Sequence, residues 1–593
     1  MTRTLFIILT SVSLCSTLYA GDGNRLTYLD ELNPYYPHKN FPKLITPQWV
    51  GEEGVDCVVI LAIDDMRDPQ KYEEYLRPIL IRLKQIDGRA PVSIMTCHIN
   101  PKDEQIQQWL AEGLSIEVHT VDHPCPLLQG GDFKKAKSTY DRCVDMLNQI
   151  PGNKPVAFRM PCCDSLNTVS PRFYAEIFNK TTENNNYLQI SSSVFNIFTS
   201  DDPEIPRELV LDADGNERFK KLIPKNLNRK GAVFNTFVNT IENYPYPYVI
   251  GNLCWEFPCV TPSDWAAQHY RGKNNPQTLE DFKAALDITV LKKGVFNLVF
   301  HPHGWIRNDQ IVDLIDHAVK KHGKKVKFLT FKEALERLNK NLLNGQPIRW
   351  GKGEDNGVRI LDVNNSGYVD VVIGNDRVRE TRLWQNDSSS WSTGKFPVSL
   401  VRSLYAAHKI RPRPKFGVQR GTGFASIVQR FGNPLHGTWH FNGRDWREQI
   451  AIQDSSESIP IWQGTYLSTL RDFDRDGMSE WIFAAKYGTQ IRIWSSKKRR
   501  WIGTSLKFPA GVSLVNSEGT DAGLRFVDIN EDGFDDIVFS NHERYGIWLF
   551  KDMQTGWSIE VLSGIRENKA SGRRKPADSS NNQPVNSREH QGA

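Results

Sequence analysis

Between positions 367 and 548 the chain keeps one period on two unrelated markers. Gly367, Gly423, Gly477 and Gly533 lie 56, 54 and 56 positions apart, and Trp384, Trp439, Trp494 and Trp548 lie 55, 55 and 54 apart. A glycine that permits a sharp turn and an indole that fills a core answer to different constraints, so a shared period implies a repeated structural unit. One such unit cannot bury its apolar face alone and must stack on its neighbours. Strand-like runs follow three of the glycines (Val371-Val372-Ile373, Trp481-Ile482-Phe483 and Ile537-Val538-Phe539), and each marker tryptophan lies in another run. The expectation over residues 344–565 is four β repeats, four-stranded blades of an all-β propeller-like domain, complete or incomplete.

The glycines sit in acidic loops. The first carries Asp362, Asn364, Ser366 and Asp370; the second Asp472, Asp474, Asp476 and Glu480; the third Asp528, Asn530, Asp532 and Asp536. Oxygen atoms at alternating positions around a turn-permitting glycine suit calcium, and these side chains are its expected ligands. The competing reading is an Asx turn whose acids face water. The copy at 417–426 keeps Gly423 but lacks the acids and is not expected to bind. The pattern resembles FG-GAP/VCBS repeats of the integrin-alpha type.

Upstream the grammar differs. A strand over 55–63, a helix over 72–85 marked by Tyr75, Ile79, Leu80 and Leu83 but interrupted by Pro78, a strand over 91–97, a helix over 103–112 and a strand over 114–118 alternate. Such alternation predicts a parallel sheet or barrel. Residues 180–250, rich in Asn, Asp and Pro, break the pattern and read as an insertion near the barrel mouth or a solvated decoration. Helices over 309–321 and 331–342 close the domain.

The chemistry gathers at the ends of these runs. Val58-Val59-Ile60-Leu61-Ala62-Ile63 stops at Asp64-Asp65. Adjacent carboxylates after a buried strand are costly unless a cation or hydrogen-bond donors satisfy them. His119 and His123 can converge on one ion, across a helical turn or from a strand end into the next loop. With an aspartate they make a divalent-metal triad that leaves room for water or substrate. Phe158-Arg159-Met160-Pro161 offers a fixed guanidinium, and the run from Val295 to Phe300 ends at His301-Pro302-His303. Plainer readings stand beside these: a helix-capping acid pair, a structural salt bridge at Arg159, His303 in competition with His301, and a structural His98.

Acid pair, His-x-x-x-His, Arg-x-Pro and late strand-terminal His, in that order, resemble the polysaccharide deacetylases. These are the carbohydrate esterases related to chitin and peptidoglycan deacetylases. The resemblance implies a distorted (β/α) barrel over residues 55–343. It implies that Asp65, His119 and His123 hold a divalent transition metal, zinc foremost. Asp64 would be the base, Arg159 its partner, and His301 the acid that protonates the departing amine. The chain departs from the family pattern at Cys162-Cys163, where an aromatic residue and glycine usually follow Arg-x-Pro, and at Gly113–Val118 before His119. Trp255 is the candidate for the family's Trp-bearing motif. These departures leave the metal triad intact and the acetyl-binding wall, hence the substrate, open.

Residues 1–20 read as a secretory signal, with Arg3, a mostly apolar stretch from Leu5 to Leu18, and Ala20 before Gly21. Residues 21–54, rich in proline and aromatics, read as an extended arm, and the polar, basic residues 566–593 as a disordered tail. No later stretch is long and apolar enough to span a bilayer. Of nine cysteines, Cys15 leaves with the signal; the rest all precede residue 260 and permit disulfides in an exported chain, with the pairing open. A net charge of +5 over 593 residues gives no argument for nucleic acid.

The expected whole is a secreted, periplasmic or cell-surface metal-dependent deacetylase of an N-acetylated polysaccharide or cell-wall glycan. Its calcium-binding repeats would attach it to substrate, cell surface or matrix. The alternatives are a hydrolase of a non-sugar amide on the same scaffold and a catalytically inactive surface glycan-binding protein.

Overall fold

The computed structural model describes residues 43–566 apart from 129–130, 165–170, 223–239, 402–403, 406–408, 411–413, 420, 431–435, 451–464, 486–487 and 518–520. The expected signal segment, the first part of the arm and the tail from 567 onward lie outside the described residues.

The chain's longest apolar strand, β1 (Cys57–Met66), is the axis of the first domain. It pairs in parallel with Val295–Phe300 on one side and with β2 (Val92–Thr96) on the other. β3 (Ser115–Val118) and β4 (Ala157–Phe158) continue the sheet, followed by Ile190–Ser191, Cys254–Glu256 and the antiparallel Tyr248–Ile250. Val326–Phe328 pairs with the first residues of β1. The strand order does not close on itself, so the expected barrel is a half-barrel. A strand buried on both faces needs no polar alternation, which is why β1 reads as a continuous apolar run. Cys57, Val59, Leu61 and Ile63 face the helices, while Val58, Ile60 and Ala62 face the inner core.

Between β1 and β2 runs α1 (Pro69–Asp87), capped by Asp68, which accepts from the backbone N–H groups of Gln70 and Lys71, and ended by Gly88 at φ 71°. Pro78 does not break it, because it lies on the exposed side, where water can serve the carbonyl left without its donor. Then come α2 (Glu104–Glu112) and α3 (Phe133–Leu147). The segment expected as an insertion supplies strands instead. Ile190–Ser191 joins the main sheet, and Phe195–Ile197 forms a three-stranded parallel sheet with Thr240–Glu242 and Cys259–Val260. These strands are two or three residues long and carry Ser and Asn, too little for an alternation to show in sequence.

The C-terminal residues form four separate four-stranded sheets, each a sequential antiparallel meander. The second strand of each sheet begins at Asp370, Ser426, Glu480 or Asp536, and the marker tryptophans lie in the third. The four marker glycines have φ of 83°, 72°, 83° and 97°, where an L side chain is strained. The described end of the arm lies at the junction between this region and the half-barrel. Ile45 bridges to Tyr368, and Leu44, Trp49 and Val50 share one core with Val58, Trp255, Val371 and Ile373. Buried Arg349 ties the same junction, donating to the carbonyls of Phe178 and Leu188 at 2.9 Å. Among the described residues no helix is long and apolar enough to cross a membrane.

Candidate active site

Strand alternation alone would send Asp64 and Asp65 to opposite faces of the sheet. The end of β1 breaks it: Asp65 has φ 71°, and the register to β2 shifts between Ile63 and Met66. A bulge of this kind re-aims a side chain, and both carboxylates reach the mouth at the C-terminal ends of the strands. Asp64 is buried and takes Arg159 Nη1 on Oδ1 at 2.7 Å. Asp65 faces four imidazoles. Its Oδ1 lies 3.3 Å from His119 Nε2 and 2.7 Å from His123 Nε2, and its Oδ2 lies 3.1 Å from His303 Nε2 and 3.9 Å from His301 Nε2.

His119 follows directly on β3, its N–H still bonded to Thr96 O at 2.9 Å. Thr120 (φ 62°) and His123 (φ 50°) then turn the chain back, so the pair converges from strand end into loop, without a helical turn. α3 holds the loop: Thr139 Oγ1 accepts from Asp122 N at 3.0 Å, and Arg142 pairs with Asp122. His119 Nδ1 lies 2.8 Å from Arg159 O. Donation there leaves Nε2 to present its lone pair toward Asp65, as a metal-ligating imidazole requires.

The donor set fits a divalent transition ion. Asp65 Oδ1 is buried and accepts no hydrogen bond of good geometry, although two Nε2 atoms lie close to it. One ligand atom from each of Asp65, His119 and His123 falls within 4.8 Å of the others. Burial works against Asp65's charge, yet the surrounding imidazoles hold its carboxyl far below the usual range. Burial lowers His123, which favours the neutral, ligating form.

Arg159, fully buried, is fixed on every side. Nε donates to Ser192 O at 3.1 Å, Nη2 to Ser192 Oγ at 2.9 Å and to Asn297 Oδ1 at 3.0 Å. Asn297 in turn donates to Ser192 Oγ at 2.8 Å and to Phe257 O at 2.9 Å. The guanidinium therefore has one orientation, toward Asp64.

His301 and His303 divide the roles left open in sequence. His301 is buried, and Asp264 accepts from its Nδ1 and from its backbone N–H, both at 2.8 Å. Burial disfavours its charged form, but Asp264, with Asp65 and Asp64 behind it, pushes the imidazole up to about 10. His303 is half-exposed and lies between Asp65 and Lys71 Nζ, the latter 3.0 Å from Nδ1. Trp305 packs on both rings, with centroids 4.8 and 5.0 Å away. His98 is exposed. Trp255 is buried in the inner core rather than lining the mouth; the tryptophan against the site histidines is Trp305.

Cys162, where the sequence departs from the family pattern, bonds covalently to Cys125, two residues past His123. The bridge joins the loop bearing His123 to the loop after Arg159. The six other described cysteines are buried thiols. Closing a 37-residue separation removes denatured-state entropy, so Cys125→Ser with Cys162→Ser is expected to cost about 3–4 kcal/mol. Calorimetry should show a lower melting temperature; an unchanged one would deny the bridge that role.

In the repeats, the first acid of each loop braces the turn. Asp362 accepts from Ser366 N and Gly367 N at 2.9 Å, and Asp528 from Asp532 N at 3.1 Å and Gly533 N at 2.8 Å. Asp472 accepts from Gly477 N at 3.0 Å. The ninth-position acids Asp370, Glu480 and Asp536 accept from the second loop residues, at 2.9, 2.9 and 3.0 Å. Asx-type bracing is thus present in all three acidic loops. Asn530 and Asp532 bond to each other at 2.8 Å, Ser366 Oγ accepts from Tyr368 N, and Asp476 accepts from Met478 N. Burial, with Asp362 adjacent, pushes Asp370 up to about 8, and burial raises Glu480 and Asp536 too. Carboxylate oxygens of Asp472, Asp474 and Glu480 lie within 4.8 Å of one another, Asn364 sits in the first loop between the bracing acids, and no acid occupies the loop around Gly423.

Residues 52–174 match the family model described as Polysaccharide deacetylase, and this stretch is a polysaccharide deacetylase domain. It holds Asp64, Asp65, His119, His123 and Arg159. A Mycobacterium smegmatis protein assigned as a polysaccharide deacetylase is similar at 14% identity and TM-score 0.31, over 50% of this chain and 94% of its own. The peptidoglycan deacetylase PdaC from Bacillus subtilis is similar at 14% identity and TM-score 0.27, over 49% and 96%. A family 4 carbohydrate esterase from Streptomyces lividans, in complex with acetate, is similar at 10% identity and TM-score 0.24, over 46% and 90%. No curated protein matches the chain.

Proposed function

We propose that the protein is an exported, metal-dependent deacetylase that hydrolyses N-acetyl groups of a glycan, with Asp65, His119 and His123 holding a zinc-type ion. The observation that carries this reading is the convergence of those three side chains beside the Asp64–Arg159 pair and His301. An ion held by Asp65, His119 and His123 would supply Lewis acidity and an acidified water there. Asp64, oriented by Arg159, takes the water proton. His301, kept protonated by Asp264, gives a proton to the amine nitrogen as the carbon–nitrogen bond breaks, since an amide anion is too basic to leave unassisted. Trp305, packed against both histidines, offers an apolar wall at the mouth. Export is supported by the Cys125–Cys162 bridge, which persists in oxidising compartments, and by the signal-like residues 1–20.

His301 is active protonated, so the rate should hold below its pKa and fall as pH rises through it. Asp264→Asn removes the largest influence that raises it. The basic limb of the kcat/KM profile is expected to move down by about one pH unit, with about twofold lost at pH 9 and a loss approaching about tenfold near pH 11. A limb in the wild-type position would remove His301 from the acid role.

The repeats are proposed to form a propeller-like unit of the FG-GAP/VCBS kind, with calcium at the acidic loops of 362–370, 472–480 and 528–536, that positions the enzyme on a polymer, cell surface or matrix. Repelling carboxylates in buried loops support it, because a cation relieves them. Calcium chelation is expected to lower the melting temperature in calorimetry, and Asp472→Asn to reproduce part of the loss. Melting indifferent to calcium would leave Asx turns as the whole account.

A hydrolase of a non-sugar amide is the second reading, favoured by the disulfide that replaces the usual aromatic residue and glycine after Arg-x-Pro. Acetate release from chito-oligosaccharides and peptidoglycan, against a panel of small amides, separates the two.

A further inference from the structure

A second histidine–carboxylate cluster lies away from the mouth. Asp287, on the helix Pro276–Leu291, meets His317 and His322 from the helix Asn308–His322. Both Nε2 atoms approach the same oxygen, Oδ1, at 2.9 and 2.6 Å, while Lys321 Nζ holds Oδ2 at 2.8 Å. The imidazole rings are 6.1 Å apart and near perpendicular, at 80°. One ligand atom from each of the three residues lies within 4.8 Å of the others, and the side chains are 9%, 21% and 12% exposed.

We propose that Asp287, His317 and His322 form a second transition-metal site, of the zinc class, that clips these two helices together. Three lines of argument support it. The donor set repeats that of the mouth, where one oxygen of Asp65 also faces two Nε2 atoms, at 3.3 and 2.7 Å. Two imidazole nitrogens and one carboxylate oxygen suit zinc-type ions, and Lys321 on the second oxygen is the kind of outer contact that holds a ligating carboxylate in one orientation. Both helices also bring their C-terminal ends here, where the backbone's partial negative charge favours a cation. The helix Asn308–His322 begins five residues after His303, and His317 and His322 lie nine and fourteen residues along it, about 14–21 Å from its start. At that distance the site is structural and takes no part in the reaction. The rival account is a charge cluster neutralised by Lys321 and protonated histidines, which needs no ion.

The test uses the full chain carrying Asp65→Asn, stripped with a chelator, kept in excess calcium and titrated with cobalt(II) and with zinc. The site predicts one cobalt ion per chain with visible absorption of a histidine–carboxylate complex, and a melting temperature that zinc raises. Both responses should vanish when His317→Gln or His322→Gln is added. In the otherwise wild-type chain, His317→Gln should lower the bound zinc from two ions to one with acetate release unchanged, which keeps the test independent of how well Asp65→Asn folds. A wild type that binds a single ion retained in His317→Gln, or cobalt binding that survives both glutamine changes, overturns the site.

Discussion

Asp64→Asn is expected to lower kcat for acetate release by about 10²–10⁴, the range of a positioned general base, while the zinc content per chain stays at the wild-type value. Asparagine is near-isosteric and its side-chain oxygen can still accept from Arg159 Nη1, now at 2.7 Å from the aspartate oxygen. The guanidinium also keeps Ser192 and Asn297, so the loop geometry should survive. What is lost is a group that can take a proton. KM should move little, because Asp64 is buried against Arg159 and offers no exposed surface to a glycan. Activity within a factor of two of wild type would place the base elsewhere; loss of the ion together with the activity would make Asp64 a ligand.

The second large effect concerns folding. Arg159→Met leaves Asp64 buried without its counter-charge and strips donors from Ser192 O and Asn297 Oδ1. Removing one partner of a buried, hydrogen-bonded ion pair costs about 3–5 kcal/mol, more than the pair's net contribution, because the remaining charge is stranded. Arg159→Met should therefore melt well below wild type in calorimetry and lose activity even where it remains folded. A variant as stable as wild type would mean that Asp64 accepts other donors and that Arg159 is dispensable to the site. Lysine at the position should recover only part of the loss, since a point charge cannot serve Asp64, Ser192 and Asn297 at once.

The residues that announce themselves in sequence are those whose neighbours along the chain carry the signal. Asp64 and Asp65 stand out because an apolar run stops at them, and His119 and His123 because four positions separate two uncommon side chains. The repeat is legible for the same reason: its glycines sit at positive φ and its tryptophans in third strands, both local demands. Asp264, Asn297 and Ser192 gave no such signal. Each sits 33 or more positions from its partner (His301 or Arg159), and a lone aspartate at a helix start reads as a cap. Trp255, the candidate in sequence, is core, and the tryptophan at the site, Trp305, follows His301-Pro302-His303 within a few residues. The bridge between Cys125 and Cys162 depends on two loops meeting in space, so no spacing rule selects it. The short strands between 190 and 250 fall below the length at which alternation is visible, which is why that stretch reads as an insertion in sequence. The bend at Asp65 is not readable either: aspartate tolerates φ 71°, but the bulge that imposes it depends on pairing with β2.

The most direct measurement is acetate release from N-acetylglucosamine oligomers and peptidoglycan by metal-stripped protein titrated with zinc. Release should be absent at the start, rise in step with occupancy of the Asp65, His119 and His123 site, and fail to rise in His119→Ala. Protein that has taken up zinc at that site and still frees no acetate from any N-acetylated glycan would contradict the account.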